Sequence, residues 1–452
     1  MIIQTDVFTK NSDRCAEKNR AIMELMDDLL SDRLKGQKFT LDNLEHAMSD
    51  LLDEVRGTVS KKAIERQDLL HKDCPHCHRP MAIKEKTSNT VKGLVDYQYE
   101  RRTYVCSQCH HRERPLDEVL ECEDGYSLEV KKAMVLLGKN MPFEEAQDLI
   151  EKLLGVKVST RSIRQMVEGV GARIAVDENQ RVSQVVDGTG MIAEPGNPGK
   201  KKEQIADVAY LLMDGTMVQT REDHWKEVKN GMLFRGQSIA QTDKHHREIL
   251  AKKYFSVFNN GESSLDKFLR RTTQECHDFE FDRYRKHVIL GDGARWIWDY
   301  AEVFHPGAVQ ILDFYHASSY LGEAWKSIAS DYPDQLHWAR LKEVAENQLW
   351  EGDIEAIIAT LYEQKDTKEV SNCIRYYKAN KDRMRYGACR AQGLQIGSGA
   401  IESAHRIIVH KRMKQSGMHW GENNVQSVVS LRAKYLSGQW PEIIDTYLRK
   451  VA

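Results

Sequence analysis

No run of about 18 apolar residues occurs in the 452-residue chain, so no segment is suited to cross a bilayer as a helix. The start, Met1-Ile-Ile-Gln-Thr-Asp6, has neither the basic residues nor the apolar core of a secretory signal, and the cytoplasm is the expected compartment. Charge of one sign is also missing, with 66 Lys plus Arg against 68 Asp plus Glu. A nucleic-acid-binding role must therefore rest on local basic clusters rather than on the total. Cysteine is sparse at nine residues, and without a signal this excludes a disulfide framework as the organising device. There is no internal repeat and no low-complexity segment. The length suits about three domains.

Residues 1 to about 70 are nearly free of Gly and Pro and carry Ile22, Leu25, Met26, Leu29 and Leu30 at helical intervals, which predicts a helical N-terminal segment. Its amphipathic face suits either a second copy of the chain or its own domain. Over residues 71–122, Cys74-Pro-His-Cys77 and Cys106-Ser-Gln-Cys109 flank a strand-like stretch. Two Cys-x-x-Cys turns brought together by a hairpin supply the four thiolates of a tetrahedral zinc site, a closed structural centre with no position left for water. His76, His78, His110 and His111 lie beside it as substitute or neighbouring groups. Residues 123–178 read as three helices, the last starting near Thr160 behind a short turn capped by Ser159 or Thr160. That is helix-turn-helix format, with Arg161, Arg164 and Gln165 on the face that would reach phosphates or base edges.

The pattern changes at Val182. Val182 to Asp187 reads as a strand ending in an aspartate, Ile205 to Met213 as a second, and Met232 to Ser238 as a third. Asp214-Gly215 reads as a hairpin turn. A helix over Ser263 to Cys276, a buried strand ending at Asp292, a helix over Arg295 to Phe304 and a strand ending at Asp313 complete an order of three strands, helix, strand, helix, strand. From residue 318 to 395 the chain is helical and charged, an all-helical insertion. Ile396 to Lys414 then restarts with Gly397 and Gly399 and predicts a helix with Ile401, Ala404 and Ile408 inward. Glu402, Arg406, His410 and Lys414 recur every four residues along its other side, and with Lys411 form a cationic stripe led by one carboxylate. The fold expected is therefore α/β and multidomain, with residues 179–317 and 396–452 forming one mixed-sheet core around the insertion.

Three carboxylates stand out: Asp187 at the end of the first strand, Asp292 at the end of the fourth, and Glu402 on the helix that follows the last. Such a cluster calls for a positive partner, and magnesium, which favours carboxylate oxygens with water and phosphate, suits it. Two ions would activate a water or 3′-hydroxyl and stabilise the leaving oxygen of a phosphodiester. Asp313, within Asp-x-x-His316, is the rival second ligand. Lys200 to Lys202, Arg270-Arg271, Arg283 to Lys286 and Arg406 to Lys414 are the local basic clusters, readable as DNA contacts or as solvated surface.

Val186-Asp-Gly-Thr189, Leu290-Gly-Asp-Gly-Ala-Arg-Trp-Ile-Trp298, Ile311-Leu-Asp-Phe-Tyr-His-Ala317 and Ile396-Gly-Ser-Gly-Ala-Ile-Glu-Ser-Ala404, followed by Arg412-Met-Lys and Gly417-Met-His-Trp, resemble bacterial insertion-sequence transposases of the ISKra type. The resemblance covers about Val182 to Trp440. It implies a DDE enzyme on an RNase H-like core, with Asp187, Asp292 and Glu402 holding two magnesium ions. It implies that Asp313 and His316 support the site or its DNA. It further implies cleavage at the element's terminal inverted repeats, joining to target DNA, and a homodimer or larger homo-oligomer, since two ends are handled together. A domesticated DNA-binding regulator and an RNase H-like nuclease without strand joining are the alternatives.

Overall fold

The computed structural model describes residues 5–66, 73–192, 204–222, 225–242, 247–261, 263–332 and 334–449. The chain divides into two compact units, one of residues 1–134, 147–158 and 449–452, the other of 135–146 and 159–448.

In the first unit, α1 (Thr5–Leu34) and α2 (Leu41–Glu65) realise the helical N-terminal segment, α2 starting where the Thr40 side chain accepts the Asn43 N–H. A three-stranded antiparallel sheet follows, from β1 (Met81–Val91), β2 (Tyr97–Cys106) and the short β3 (Arg112–Glu113). A short α3 (Pro115–Val119) packs Leu116 beside Val91, Tyr99 and Cys122. In this core the buried Asp117 carboxylate is paired with Arg101 at 2.9 Å and accepts the Tyr99 hydroxyl.

Next come α4 (Leu128–Gly138), α5 (Phe143–Leu154) and α6 (Thr160–Val185). Gly155, at φ +69°, turns the chain out of α5, and Ser159 caps α6 by accepting the Ser162 N–H. Arg161, Arg164 and Gln165 are exposed on α6. This helix runs 26 residues and ends at Val185, so the strand expected over Val182 to Asp187 does not form. Val182 and Val185, three apart, continue the helical period instead.

The sheet of the second unit is built from β4 (Ile205–Gln219), β5 (Trp225–Arg235), β8 (Lys252–Phe258), β9 (Tyr284–Gly291) and β10 (Val309–Leu312). A small hairpin of β6 (Ile239–Gln241) and β7 (Arg247–Ile249) stands apart from it. The strand order is β10-β9-β4-β5-β8, with β4, β9 and β10 parallel and β5 antiparallel to both β4 and β8. With α7 (Ser264–Asp278) after β8 and α8 (Arg295–Phe304) after β9, the order is three strands, helix, strand, helix, strand. The formula is the expected one, but its first three members are later in the chain than expected.

Asp214-Gly215 is not a hairpin turn. Both residues lie inside β4, paired with Asn230 and Lys229. A Cβ at Gly215 would come within 2.1 Å of the Glu227 carboxylate on β5, which Lys229 holds at 2.8 Å, so a larger residue there would displace that ion pair.

The insertion is helical as expected: α9 (Phe314–Ser327), α10 (Gln335–Glu351), α11 (Ile354–Tyr362), α12 (Lys368–Asn380) and α13 (Tyr386–Ala391). Trp325, Leu349, Ile357 and Tyr377 are among the residues of its core. The chain then returns to the sheet through α14 (Gly399–His405), a π-helical turn over Arg406–His410 and α15 (Lys411–Met413), and ends with α16 (Glu422–Leu436) and a terminal turn.

Candidate active site and metal centre

The register of the sheet decides the site. Leu212 of β4 pairs with Leu290 of β9, so Asp214 and Asp292, each two residues further on, stand side by side on parallel strands. Leu312 of β10 pairs with Gly291, and the Asp313 N–H donates to the Gly291 carbonyl at 2.8 Å, which places Asp313 on the other side of Asp292. On β5 the partner of Asp214 is Asn230, and on β8 the partner of Asn230 is Ser256. One polar row, Asp313, Asp292, Asp214, Asn230, Ser256, therefore runs from the residues that directly follow β10 and β9 across β4, β5 and β8.

His405 of α14 ties this row to the helix above it. Ser256 Oγ donates to Asn230 Oδ1 at 2.6 Å, which turns the Asn230 amide to donate to His405 Nδ1 at 2.8 Å. The imidazole then carries its proton on Nε2 and donates it to Asp214 Oδ2 at 2.9 Å. Burial, and with it the Asp214 carboxylate, pushes the Asp292 acid up from its ordinary value against the Ala294 N–H and His316. The backbone at Asp292 is held by Tyr376, whose hydroxyl donates to the Asp292 carbonyl at 2.5 Å. Both Asp313 oxygens are taken by backbone donors, His316 N–H at 2.5 Å and Ser398 N–H, so this buried carboxylate caps α9 and anchors the start of α14. Glu402 is exposed on α14, one turn before His405. On the same face of the sheet, a cavity of about 1080 Å³ is floored by Leu212, Met232 and Phe234 and edged by Ala400 and Ser403.

Asp187 stands elsewhere, which corrects its expected place beside Asp292. Its Oδ1 accepts the Thr189 hydroxyl at 2.6 Å and the N–H groups of Thr189 and Met191 at 2.8 and 3.1 Å, and these bonds, the hydroxyl foremost, hold its acid below the usual range. Gly190 of the same turn lies against Phe304, the last residue of α8, whereas Asp292 precedes the first. Asp187, Asp292 and Glu402 do not close into a group within 4.8 Å. Asp214, the residue that does adjoin Asp292, had a signal in the sequence: the apolar run Ala209 to Met213 leads directly into it, and Asp214-Gly-Thr repeats Asp187-Gly-Thr. His405 and Asn230 carried none.

The cationic stripe is also altered. The π turn inserts a residue into the helical period, so Glu402, Arg406, His410 and Lys414 do not form one straight line. Arg406 and Lys411 are exposed. His410 turns to the sheet instead, its Nε2 2.8 Å from the Thr216 hydroxyl, and Lys414 donates to the same oxygen at 3.2 Å. Burial and the nearby Lys414 push the His410 imidazole toward its neutral form. The π carbonyls of Ile407 and Ile408 accept bonds from the buried Arg432 of α16. Of the other basic clusters, Arg270 donates to the Asp187 carbonyl at 2.7 Å and Arg271 is paired with Glu178 and Glu275, so both serve packing. Arg283 is paired with Glu280, and Lys286 donates to Gln392. Lys200 to Lys202 lie outside the described residues.

The cysteine turns meet as expected. Cys74 Sγ is 3.3 Å from Cys109 Sγ, Cys77 Sγ is 3.3 Å from Cys106 Sγ, and all four sulfurs lie within 4.8 Å of one another. Each turn is built the same way: His78 and His110, at φ +56° and +58°, donate their N–H to the carbonyls of Cys74 and Cys106 at 2.8 and 3.1 Å. His111 is paired with Glu113 at 3.1 Å and contacts the His76 ring. Sulfurs about 2.3 Å from a central ion would stand about 3.8 Å apart, so the cluster could hold a metal such as zinc. Among the described residues no other group of three or more metal-capable side chains closes to within 4.8 Å, and Asp214, Asp292 and Glu402 do not. No described helix is long and apolar enough to cross a membrane.

The sequence profile of a family described as an uncharacterised protein family (UPF0236) matches residues 34–443. The chain is also similar to the "UPF0236 protein in vanSb 3'region" of Streptococcus gallolyticus, at 22% identity over 90% of this chain and 85% of that protein.

Proposed function

The chain belongs to the uncharacterised protein family UPF0236, and from that premise we propose that it is a DNA transposase of the DDE kind, working by metal-dependent phosphoryl transfer on an RNase H-like core. The observation that carries this reading is the register that sets Asp214, inside β4, beside Asp292, which directly follows the parallel β9, with Glu402 on the helix α14. A mixed sheet with first and fourth strands adjacent is what such a core calls for, and here the first strand is the one with Asp214 rather than Asp187.

The donors are carboxylate oxygens, and burial, with the Asp214 charge added to it, raises the Asp292 acid, so the set suits hard divalent cations. Asp214, Asp292 and Glu402 would hold magnesium, which supplies an activated oxygen nucleophile and charge neutralisation at the phosphodiester. His405 fixes the Asp214 carboxylate by donating from Nε2, leaving its remaining lone pairs for the cation. Asp313 acts as a positioning residue, tying the start of α14 to the end of β10 through Ser398, with its other oxygen on the His316 backbone N–H at the start of α9. The four-cysteine centre would be a structural zinc ribbon, and the exposed Arg161, Arg164 and Gln165 of α6 would meet the terminal repeats. Handling two ends together calls for at least two copies.

The test is a cleavage and joining assay on DNA carrying the repeats that flank the gene. Wild type should cut and join with magnesium, and Asp214→Asn and Asp292→Asn should bind without cutting. Wild-type binding with no cleavage under any divalent cation would leave the regulator reading in its place; cleavage without joined products would leave the nuclease reading.

A further inference from the structure

A second pocket, of about 330 Å³, lies within the same unit but away from the carboxylate row. Phe143, Arg164, Glu168, Arg221, Arg412 and Trp420 are among its lining residues. Arg412 is only 2% exposed, its guanidinium sandwiched between the Phe143 and Trp420 rings at 4.7 Å from each centroid. Its Nε donates to the Gly138 carbonyl at 3.0 Å, and Nη1 meets only the Met418 thioether at 3.8 Å. Among the described residues Nη2 has no hydrogen-bond partner and no carboxylate forms an ion pair with this arginine; Glu144 and Glu168 act on it only from a distance. Trp420 is 8% exposed and its buried indole N–H has no acceptor among the described residues.

Buried donors without acceptors are costly, and a buried cation without a counter-ion more so. The site thus has unused donors at its base, with two exposed arginines at its rim, and Arg164 and Arg221 form no ion pair among the described residues. Against these three cations stand Glu144 and Glu168, and burial pushes the Glu168 acid up. One desolvated guanidinium and an unsatisfied indole N–H in the walls of a cavity of this size, with two exposed guanidinium groups among its lining, match a tetrahedral oxyanion. The rim continues onto α6, where Arg161 and Gln165 are exposed beside Arg164.

We infer that this pocket binds a backbone phosphate of a polynucleotide strand, through Arg412, Arg221, Arg164 and the Trp420 N–H. The inference rests on the nucleic-acid reading above only for its choice of a polynucleotide over a free phosphate. Strand binding by the full-length chain should be measured without magnesium, by anisotropy of a labelled single strand and of its duplex across a salt series, with inorganic pyrophosphate as competitor. Trp420→Phe keeps the ring and removes the donor, and Arg221→Gln changes a rim residue. Both should keep the wild-type melting temperature and weaken binding by about fivefold or more; Arg221→Gln should also reduce the salt slope by about one, and Trp420→Phe should not. Wild-type affinity and salt slope in both variants would overturn the pocket. Pyrophosphate binding without strand binding would overturn the polynucleotide. Pocket-dependent strand binding by a wild-type chain that cuts no DNA with magnesium counts against the enzyme reading alone.

Discussion

Asp187 and Asp214 begin the same tripeptide, Asp-Gly-Thr, and their surroundings give them opposite chemistry. In Asp187 one carboxylate oxygen accepts three bonds from its own turn, and in Asp214 the carboxylate faces a second carboxylate and a histidine donor. Asp214→Asn should therefore lower metal-dependent cleavage by at least a hundredfold, while Asp187→Asn should retain cleavage within severalfold and lose some stability; single-turnover rates and melting curves on both variants check this. Asp292 makes a prediction of its own. Its folded pKa is raised above the ordinary 3.8, so burial disfavours the ionised form and any stability tied to the neutral acid is lost as pH rises through the folded pKa. Asp292→Asn, which removes that charge, should melt higher than wild type at neutral pH, with the gain vanishing below pH 3.8, where the acid is neutral in both states. Added magnesium should raise the wild-type melting temperature and leave the variant unmoved, as binding to the native state alone requires.

At the level of elements, the segment after the insertion shows how a local irregularity is supported from a distance. The π turn at Arg406–His410 releases carbonyls from the regular ladder, and Arg432 donates to those of Ile407 and Ile408 while also meeting Lys139 and Asn140. Arg432→Met should cost about 2–4 kcal/mol in urea unfolding, because buried carbonyls lose their donor. The helical period in Ile401, Ala404 and Ile408 was legible and all three are buried, but the inserted residue was not, since nothing in a one-dimensional pattern marks a π turn that an arginine 24 residues later stabilises. The cysteine turns are the opposite case. Their chemistry is contained in short segments and was legible outright, down to the hairpin between them.

For the whole molecule, two compact units with separate chemical centres predict separable behaviour. Elemental analysis should find one zinc per chain, and Cys106→Ser should abolish it. Chelation should shift one calorimetric transition and leave the other, because the four thiols lie in one unit and the carboxylate row in the other. A single transition that moves as a whole would contradict that division.

By itself the sequence determined the parts whose physics is local: the cysteine turns, the cap at Ser159, the all-helical insertion, the strands ending at Asp292 and Asp313, and Glu402 on a helix. It placed the later part of that order, the helix, strand, helix and strand from Ser263 to Asp313, because apolar runs and helical periods are set by burial of neighbouring residues, but it put a strand at Val182 where α6 continues and gave none at Lys252–Phe258. Only the tertiary structure decided which aspartate meets Asp292. An Asp-Gly pair is a turn in most surroundings and a strand interior only where another strand lies beside it, and that depends on Asn230, Lys229 and Leu290, residues too distant in sequence for any local period to register.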